Sequence, residues 1–140
     1  MSGIGVLTPT QAWELLQSEP RSTLVDVRTS MEFEYVGHPP GAAHVPWQES
    51  PHWQIDPRFT DKVRAMLRER YGSEVDIEQL PVLTLCRSGM RSHAAAETLA
   101  EAGFRKVYNI AEGFEGDRDG EKHRGTINGW RYHNLPWEQG

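Results

Sequence analysis

The chain holds a single cysteine, Cys86. A lone thiol closes no internal disulfide, which excludes a small secreted domain held together by staples. Lysine is nearly as scarce: Lys62, Lys106 and Lys122 are the only ones, so twelve of the fifteen basic residues are Arg. Basic residues are themselves outnumbered, 15 against 20 acidic ones, for a formal net charge of −5. That is the wrong sign for a protein that coats nucleic acid, and no nucleic-acid partner is expected. No apolar run approaches the ~18 residues of a membrane-spanning helix. Met1 to Pro9 has no Lys or Arg and no long apolar stretch, so a signal peptide is not expected either. The location this predicts is cytoplasmic, with no membrane partner.

What is present suits a compact enzyme-sized unit. A length of 140 residues with 37% hydrophobic content predicts one domain over 1–140. A chain of this size buries about 68–70% of the surface it exposes when unfolded, enough to fold without cross-links. Thr8, Pro9 and Gln11 form a capping-box start for a helix over about 9–17. Thr23 to Arg28 reads as a buried strand. Ser30 is placed to cap a short helical turn over 31–36, and Ala43 to Pro46 reads as a second short strand. An irregular segment covers 47–57, with Asp56 as cap and Pro57 as first residue of a helix. That helix carries Phe59, Val63, Met66 and Leu67 on one face and stops at Gly72. Pro81 to Cys86 is the next buried strand, His93 to Ala102 an Ala-rich helix, and Lys106 to Ile110 the last strand. Strands that are continuous apolar runs, alternating with helices, predict an α/β domain with a parallel sheet covered on both faces. Trp130, Leu135 and Trp137 are expected to pin the Gly-rich tail, 112–140, onto the body.

The informative segment is Cys86-Arg87-Ser88-Gly89-Met90-Arg91-Ser92. Open α/β sheets bind ligands beyond the carboxyl ends of their strands, and Cys86 ends a central one. A short strand-to-helix loop can curl its backbone N–H groups toward one point, and Gly89 supplies the positive φ such a curl needs. The product is an amide nest at a helix N-terminus, suited to an anion, with Cys86 at its floor. A thiolate there is stabilised by the helix N-terminus and by the guanidinium groups of Arg87 and Arg91. The competing reading is a buried structural Cys with two surface arginines. The coincidence of strand end, Gly and paired Arg favours the functional one.

Other residues attract weaker readings. Asp26 and Arg28 lie near the same end of the sheet and either support the loop or form a structural ion pair, the second being favoured. Arg28 and Glu32 are four apart and are spaced to pair. His38, in a Gly-His-Pro turn, reads as a packing residue. The six His show no metal spacing, and neither a metal nor a cofactor is expected. Glu115 to Gly120 resembles the start of a calcium loop, but the twelfth position is Thr126 where a bidentate Glu is needed. Trp47 and Trp53 are candidates for the wall on the acceptor side.

The chain resembles the single-domain rhodaneses, the thiosulfate sulfurtransferase family. The resemblance rests on Leu24-Val25-Asp26-Val27-Arg28, Glu32-Phe33, Gly37-His38-Pro39-Pro40-Gly41-Ala42 and Val45-Pro46. It rests equally on the loop from Cys86 to Arg91, on Gly103-Phe104 and on Val107-Tyr108-Asn109-Ile110. It implies a rhodanese-like five-stranded parallel sheet flanked by helices, with the loop cradling a Cys86 persulfide. It also implies transfer of sulfur from a small donor, thiosulfate or a persulfide, to a thiol acceptor or a sulfur-carrier protein. Arg87, Ser88, Gly89, Met90 and Arg91 would bind the donor. Where family members commonly carry Gly-Gly and an aromatic after the last strand, this chain has Glu112-Gly113-Phe114. Cysteine phosphatases, which place five residues between Cys and Arg after a His-Cys, match less well: Leu85 precedes Cys86, and only four residues separate it from Arg91. An arsenate reductase, a non-catalytic binding or regulatory module, and a persulfide relay to a partner protein are the remaining alternatives.

Overall fold

The computed structural model describes residues 3–49 and 51–140. Its elements run β1 (Gly5–Leu7), α1 (Pro9–Ser18), β2 (Thr23–Asp26), a π-helical turn (Glu32–Val36), β3 (Ala43–His44), α2 (Phe59–Tyr71), a 3-10 turn (Ile77–Gln79), β4 (Val82–Leu85), α3 (Met90–Glu101) and β5 (Val107–Ile110). The five strands form one parallel sheet in the order β1-β5-β4-β2-β3. The expected α/β architecture with helices on both faces is what forms.

Every residue of β2 and β4 is buried, which is why both read as unbroken apolar runs. Alternate side chains feed opposite layers. Val25, Val82 and Cys86 enter a core shared with Phe59, Val63 and Leu67 of α2 and Ala95, Ala96 and Leu99 of α3. Leu24, Leu83 and Leu85 enter a second core with Ala12 of α1, Phe114 and Trp130. The tail is pinned as expected. Trp130 is fully buried, meets Trp13 edge-on at 6.0 Å, and donates its indole N–H to the Pro136 carbonyl. Backbone hydrogen bonds in both directions then join Glu138 to His38.

Several boundaries differ from the sequence reading, for local reasons. β1 has no apolar pattern, and Val6 is 60% exposed; the strand exists because β5 offers it hydrogen bonds. Tertiary packing likewise makes the 3-10 turn, whose Ile77 is buried. β2 ends at Asp26, because the Arg28 side chain and backbone both turn back to the Asp26 carboxylate. β3 is two residues long, although the Val45 and Trp47 amides still bond the Asp26 and Val27 carbonyls beyond it. Thr29, not Ser30, caps the π turn, exchanging hydrogen bonds with Glu32, while Ser30 donates to the Glu49 carboxylate. Asp56 accepts from the Arg58 amide as a cap would, but residues 57 and 58 form a turn, with Arg58 at φ −103° and ψ 12°, and α2 starts at Phe59 and not at Pro57. Of the irregular segment over 47–57, Ser50 lies outside the described residues. α3 starts at Met90, three residues before the expected His93, since Gly89 at φ 112° turns the chain straight into the helix. No helix among the described residues is long and apolar enough to cross a membrane.

Candidate active site

Cys86 follows β4 directly, with only 1% of its surface exposed. The next two carbonyls face away from it. The Phe114 amide donates to the Cys86 carbonyl at 2.8 Å, and the Glu115 and Gly116 amides donate to that of Arg87 at 3.0 and 3.2 Å. The Gly89 amide faces inward and donates to Cys86 Sγ at 3.1 Å. The turn that holds those carbonyls requires a glycine: a Cβ on Gly113, at φ 70°, would lie 2.5 Å from the Arg87 carbonyl group. Glu112 also has a positive φ of 70°, where the family's first glycine would sit at no cost. Here the Glu112 carboxylate accepts from the Gly129 amide at 3.0 Å and contacts His133 Nε2 at 2.9 Å, which ties the tail to the loop.

A buried polar network supports the loop from below. Asn109, on β5, donates to the Gly89 carbonyl at 3.1 Å; the Ser92 hydroxyl reaches the same carbonyl and Asn109 Oδ1. Thr84 donates to the Ser92 carbonyl at 2.9 Å. Sequence reasoning missed Asn109 and Ser92 as supports. The available signal is an amide side chain inside the otherwise apolar run from Val107 to Ile110.

Two of the cavities at the loop are lined by both Arg87 and Arg91. The smaller, about 290 Å³, is lined by Cys86, Arg87, Ser88, Met90 and Arg91. The larger, about 620 Å³, shares Arg87 and Arg91 and adds Glu32, Met31, Trp53, Glu115 and Arg124. Arg91 donates to both oxygens of Glu32, at 2.8 and 2.9 Å. Burial pushes the Glu32 carboxyl upward, yet the Arg91 hydrogen bonds and charge, with Thr29, overcome it and lower its pKa from 4.5 to about 2. Burial likewise works against the Arg91 charge, and Glu32 outweighs it, so the guanidinium is held above its ordinary value. Arg87 is exposed and lies within ion-pair distance of no carboxylate among the described residues. Arg124, on the far side of the tail loop, is a further lining residue that sequence reasoning did not single out.

Asp26 and Arg28 form a fully buried bidentate pair, 2.9 and 2.6 Å, and Arg28 also donates to the Gly37 carbonyl. The guanidinium sits 4.5 Å over the Phe114 ring; its Nη1 is the one buried side-chain nitrogen or oxygen without a hydrogen-bond partner among the described residues. Glu32 therefore pairs with Arg91 and not with Arg28, whose side chain is already committed to Asp26. His38 stacks on Phe33 at 3.7 Å and bonds the Phe33 carbonyl, the packing role expected of it. Trp47 is buried edge-on to Phe59 and lines neither cavity beside Cys86, so of the two tryptophans only Trp53 lines one of them, the larger. In the calcium-like segment, both Asp119 oxygens are occupied by Thr126 and by backbone amides. No group of three His, Cys, Asp or Glu side chains is arranged for a metal among the described residues.

The rhodanese-like domain pattern matches residues 8–118. The chain is 34% identical over 113 residues to a thiosulfate sulfurtransferase GlpE of Actinobacillus pleuropneumoniae, covering 79% of this chain and 82% of that protein. It is 32% identical over 132 residues to an uncharacterized protein of Rickettsia rickettsii, covering 92% and 93%. The crystal structure of Rv0390 from M. tuberculosis superposes with a TM-score of 0.83 at 41% identity, over 99% of this chain and 100% of that one. With the parallel sheet and the Cys86 loop already described, these similarities make the chain a member of the rhodanese-like domain family.

Proposed function

We propose that residues 1–140 act as one cytoplasmic sulfurtransferase domain, moving sulfane sulfur from an anionic donor such as thiosulfate to a thiol acceptor through a persulfide on Cys86. The observation that carries this reading is Cys86 Sγ at the base of a small cavity, facing the Gly89 amide at the start of α3. Backbone N–H groups at a helix start favour negative charge, both on a thiolate and on a bound oxyanion. The Cys86 thiolate attacks the outer sulfur of thiosulfate; a Cys–S bond forms, the donor's S–S bond breaks, and sulfite leaves with that electron pair. Arg87, which has no carboxylate partner among the described residues, and the loop amides receive the donor's oxyanion. Arg91, tied to Glu32, lines the same cavity and fixes its rim. With no second cysteine, the sulfur leaves only to an external acceptor.

Intact-protein mass spectrometry after incubation with thiosulfate tests this. A gain of about 32 daltons on the wild type, absent from Cys86→Ser and removed by cyanide, is the expected result. A gain that survives Cys86→Ser overturns the mechanism. No gain with thiosulfate or with persulfide donors favours the binding-module alternative.

A further inference from the structure

The larger cavity carries an imbalance of charge of which the sulfur-loading step uses only Arg87. Its lining presents the guanidinium groups of Arg87, Arg91 and Arg124 and the carboxylates of Glu32 and Glu115. Glu32 is taken by Arg91, and Glu115 faces Arg131 at 3.9 Å. Arg87 and Arg124 remain without a carboxylate partner among the described residues. The hydrogen bond that Arg124 does make is to a backbone carbonyl, that of Gly116.

Arg124 is not a loose surface side chain. It is half-buried, on a loop that is stitched internally. Asp117 and Asn128 exchange two hydrogen bonds across the loop base, 2.7 and 2.9 Å. Asp119 accepts from the His123 amide and the Thr126 hydroxyl, and its own amide donates to the His123 carbonyl. Gly116 and Gly129 let the two strands of the base touch: a Cβ on Gly129 would come within 2.7 Å of the Gly116 nitrogen. The loop thus holds a guanidinium in place over a cavity that also reaches Arg87, and through Arg87 the cavity of Cys86. Two unpaired guanidinium groups match carboxylates, which they bind in a planar, two-point fashion. Met31 and Trp53, 65% and 49% exposed, offer apolar surface to a short carbon chain on the same cavity. A volume of about 620 Å³ is in the range of small-molecule sites.

We infer that this cavity is the acceptor's site and that the acceptor is a small thiol bearing more than one carboxylate, held by Arg124 and Arg87 with its sulfur toward Cys86. The inference rests on the sulfur-transfer reading above. In the step it serves, the acceptor thiolate attacks the outer sulfur of the Cys86 persulfide, Cys86–S–SH. The new S–S bond is in the acceptor, the old one breaks, the proton stays on the outer sulfur, and Cys86 leaves as thiolate.

Two probes separate charge from reactivity: mercaptosuccinate, a dicarboxylate thiol, and thioglycerol, a neutral one. Wild type turned over with thiosulfate should prefer mercaptosuccinate, as judged by kcat/KM. Arg124→Gln should reduce that preference about tenfold, as expected for loss of a charge-assisted contact. Arg124→Lys, which keeps the charge but not the two-point contact, should restore part of it. A wild type without the preference, a preference unmoved by Arg124→Gln, or Lys behaving like Gln overturns the inference. Calorimetric binding of (methylthio)succinate, which has no thiol, judges the cavity without turnover. Binding that is lost in Arg124→Gln supports the site even if Cys86 takes no sulfur. No binding to the wild type, or equal binding to both, refutes it. Failure of the sulfur-transfer reading is thereby distinguishable from failure of the acceptor site.

Discussion

Arg91 grips Glu32 through two parallel hydrogen bonds, Nη1 to Oε1 at 2.8 Å and Nη2 to Oε2 at 2.9 Å, across 59 positions of sequence. The pair joins the first turn of α3 to the π turn after β2, and so ties together the connections that leave two neighbouring parallel strands at the same end of the sheet. It also divides the two loop arginines into different tasks. Arg91 is held, while Arg87 two positions from Gly89 is not.

The pair makes stability depend on acid in a definite direction. The Glu32 carboxyl titrates at about 2 in the folded protein and near its ordinary 4.5 when unfolded. Its contribution is therefore complete above about pH 5 and is lost as pH falls toward about 2, since the unfolded state binds the proton first. Urea unfolding of wild type and Glu32→Gln from about pH 2.5 to 7 should show wild type ahead by on the order of 1–3 kcal/mol at neutral pH. The gap should close on acidification. A gap independent of pH would show that the charge of Glu32 is not what matters.

Arg87→Ala should depress kcat/KM for thiosulfate by about tenfold while costing an uncharged persulfide donor much less. Steady-state assays with both donors decide it. Equal losses would mean that Arg87 shapes the loop and does not receive the oxyanion.

Gly113→Ala tests the turn that orients the loop. The added Cβ meets the Arg87 carbonyl group at 2.5 Å and must also adopt φ 70°, so the loop has to move. A stability loss of about 2–3 kcal/mol and sulfur loading slowed well beyond that of a variant at an open glycine, Gly72→Ala, are expected. Rapid-quench mass spectrometry of the loading step, with a urea titration of each variant, measures both.

The Asp26–Arg28 pair is predicted to be structural. Removing one partner, as in Asp26→Ala, leaves a buried guanidinium uncompensated and should cost roughly 3–5 kcal/mol. The double variant Asp26→Leu with Arg28→Met should recover much of that loss, because two apolar residues need no compensation. Thermal melts of the three proteins give the comparison. If the double variant is stable but no longer loads sulfur, the pair supports the site chemically and the structural assignment fails.

The parts of the fold legible in sequence were those governed by local chemistry or by burial on both faces. The capping box at Thr8 and the apolar runs in β2, β4 and β5 need no distant partner to be recognised. β1 left no such mark, since an edge strand of three residues is defined by its neighbour's hydrogen bonds. Thr29 displaced Ser30 as cap for a similar reason: Ser30 lies within reach of Glu49, 19 positions on, and that partner is invisible to a local pattern.

By itself the sequence determined that a lone cysteine closes a buried apolar run, with a glycine and two arginines in the loop behind it, because strand burial and glycine's tolerance of positive φ are local properties. Only the tertiary structure decided what each charge does there. Glu32 went to Arg91 because Arg28 was already committed to Asp26, and the tail brought Arg124 to a cavity 38 positions from Cys86 by closing a stitched loop against it. Ion pairing depends on distances of a few ångströms between groups far apart in the chain, and such distances are set by packing, not by spacing along the sequence.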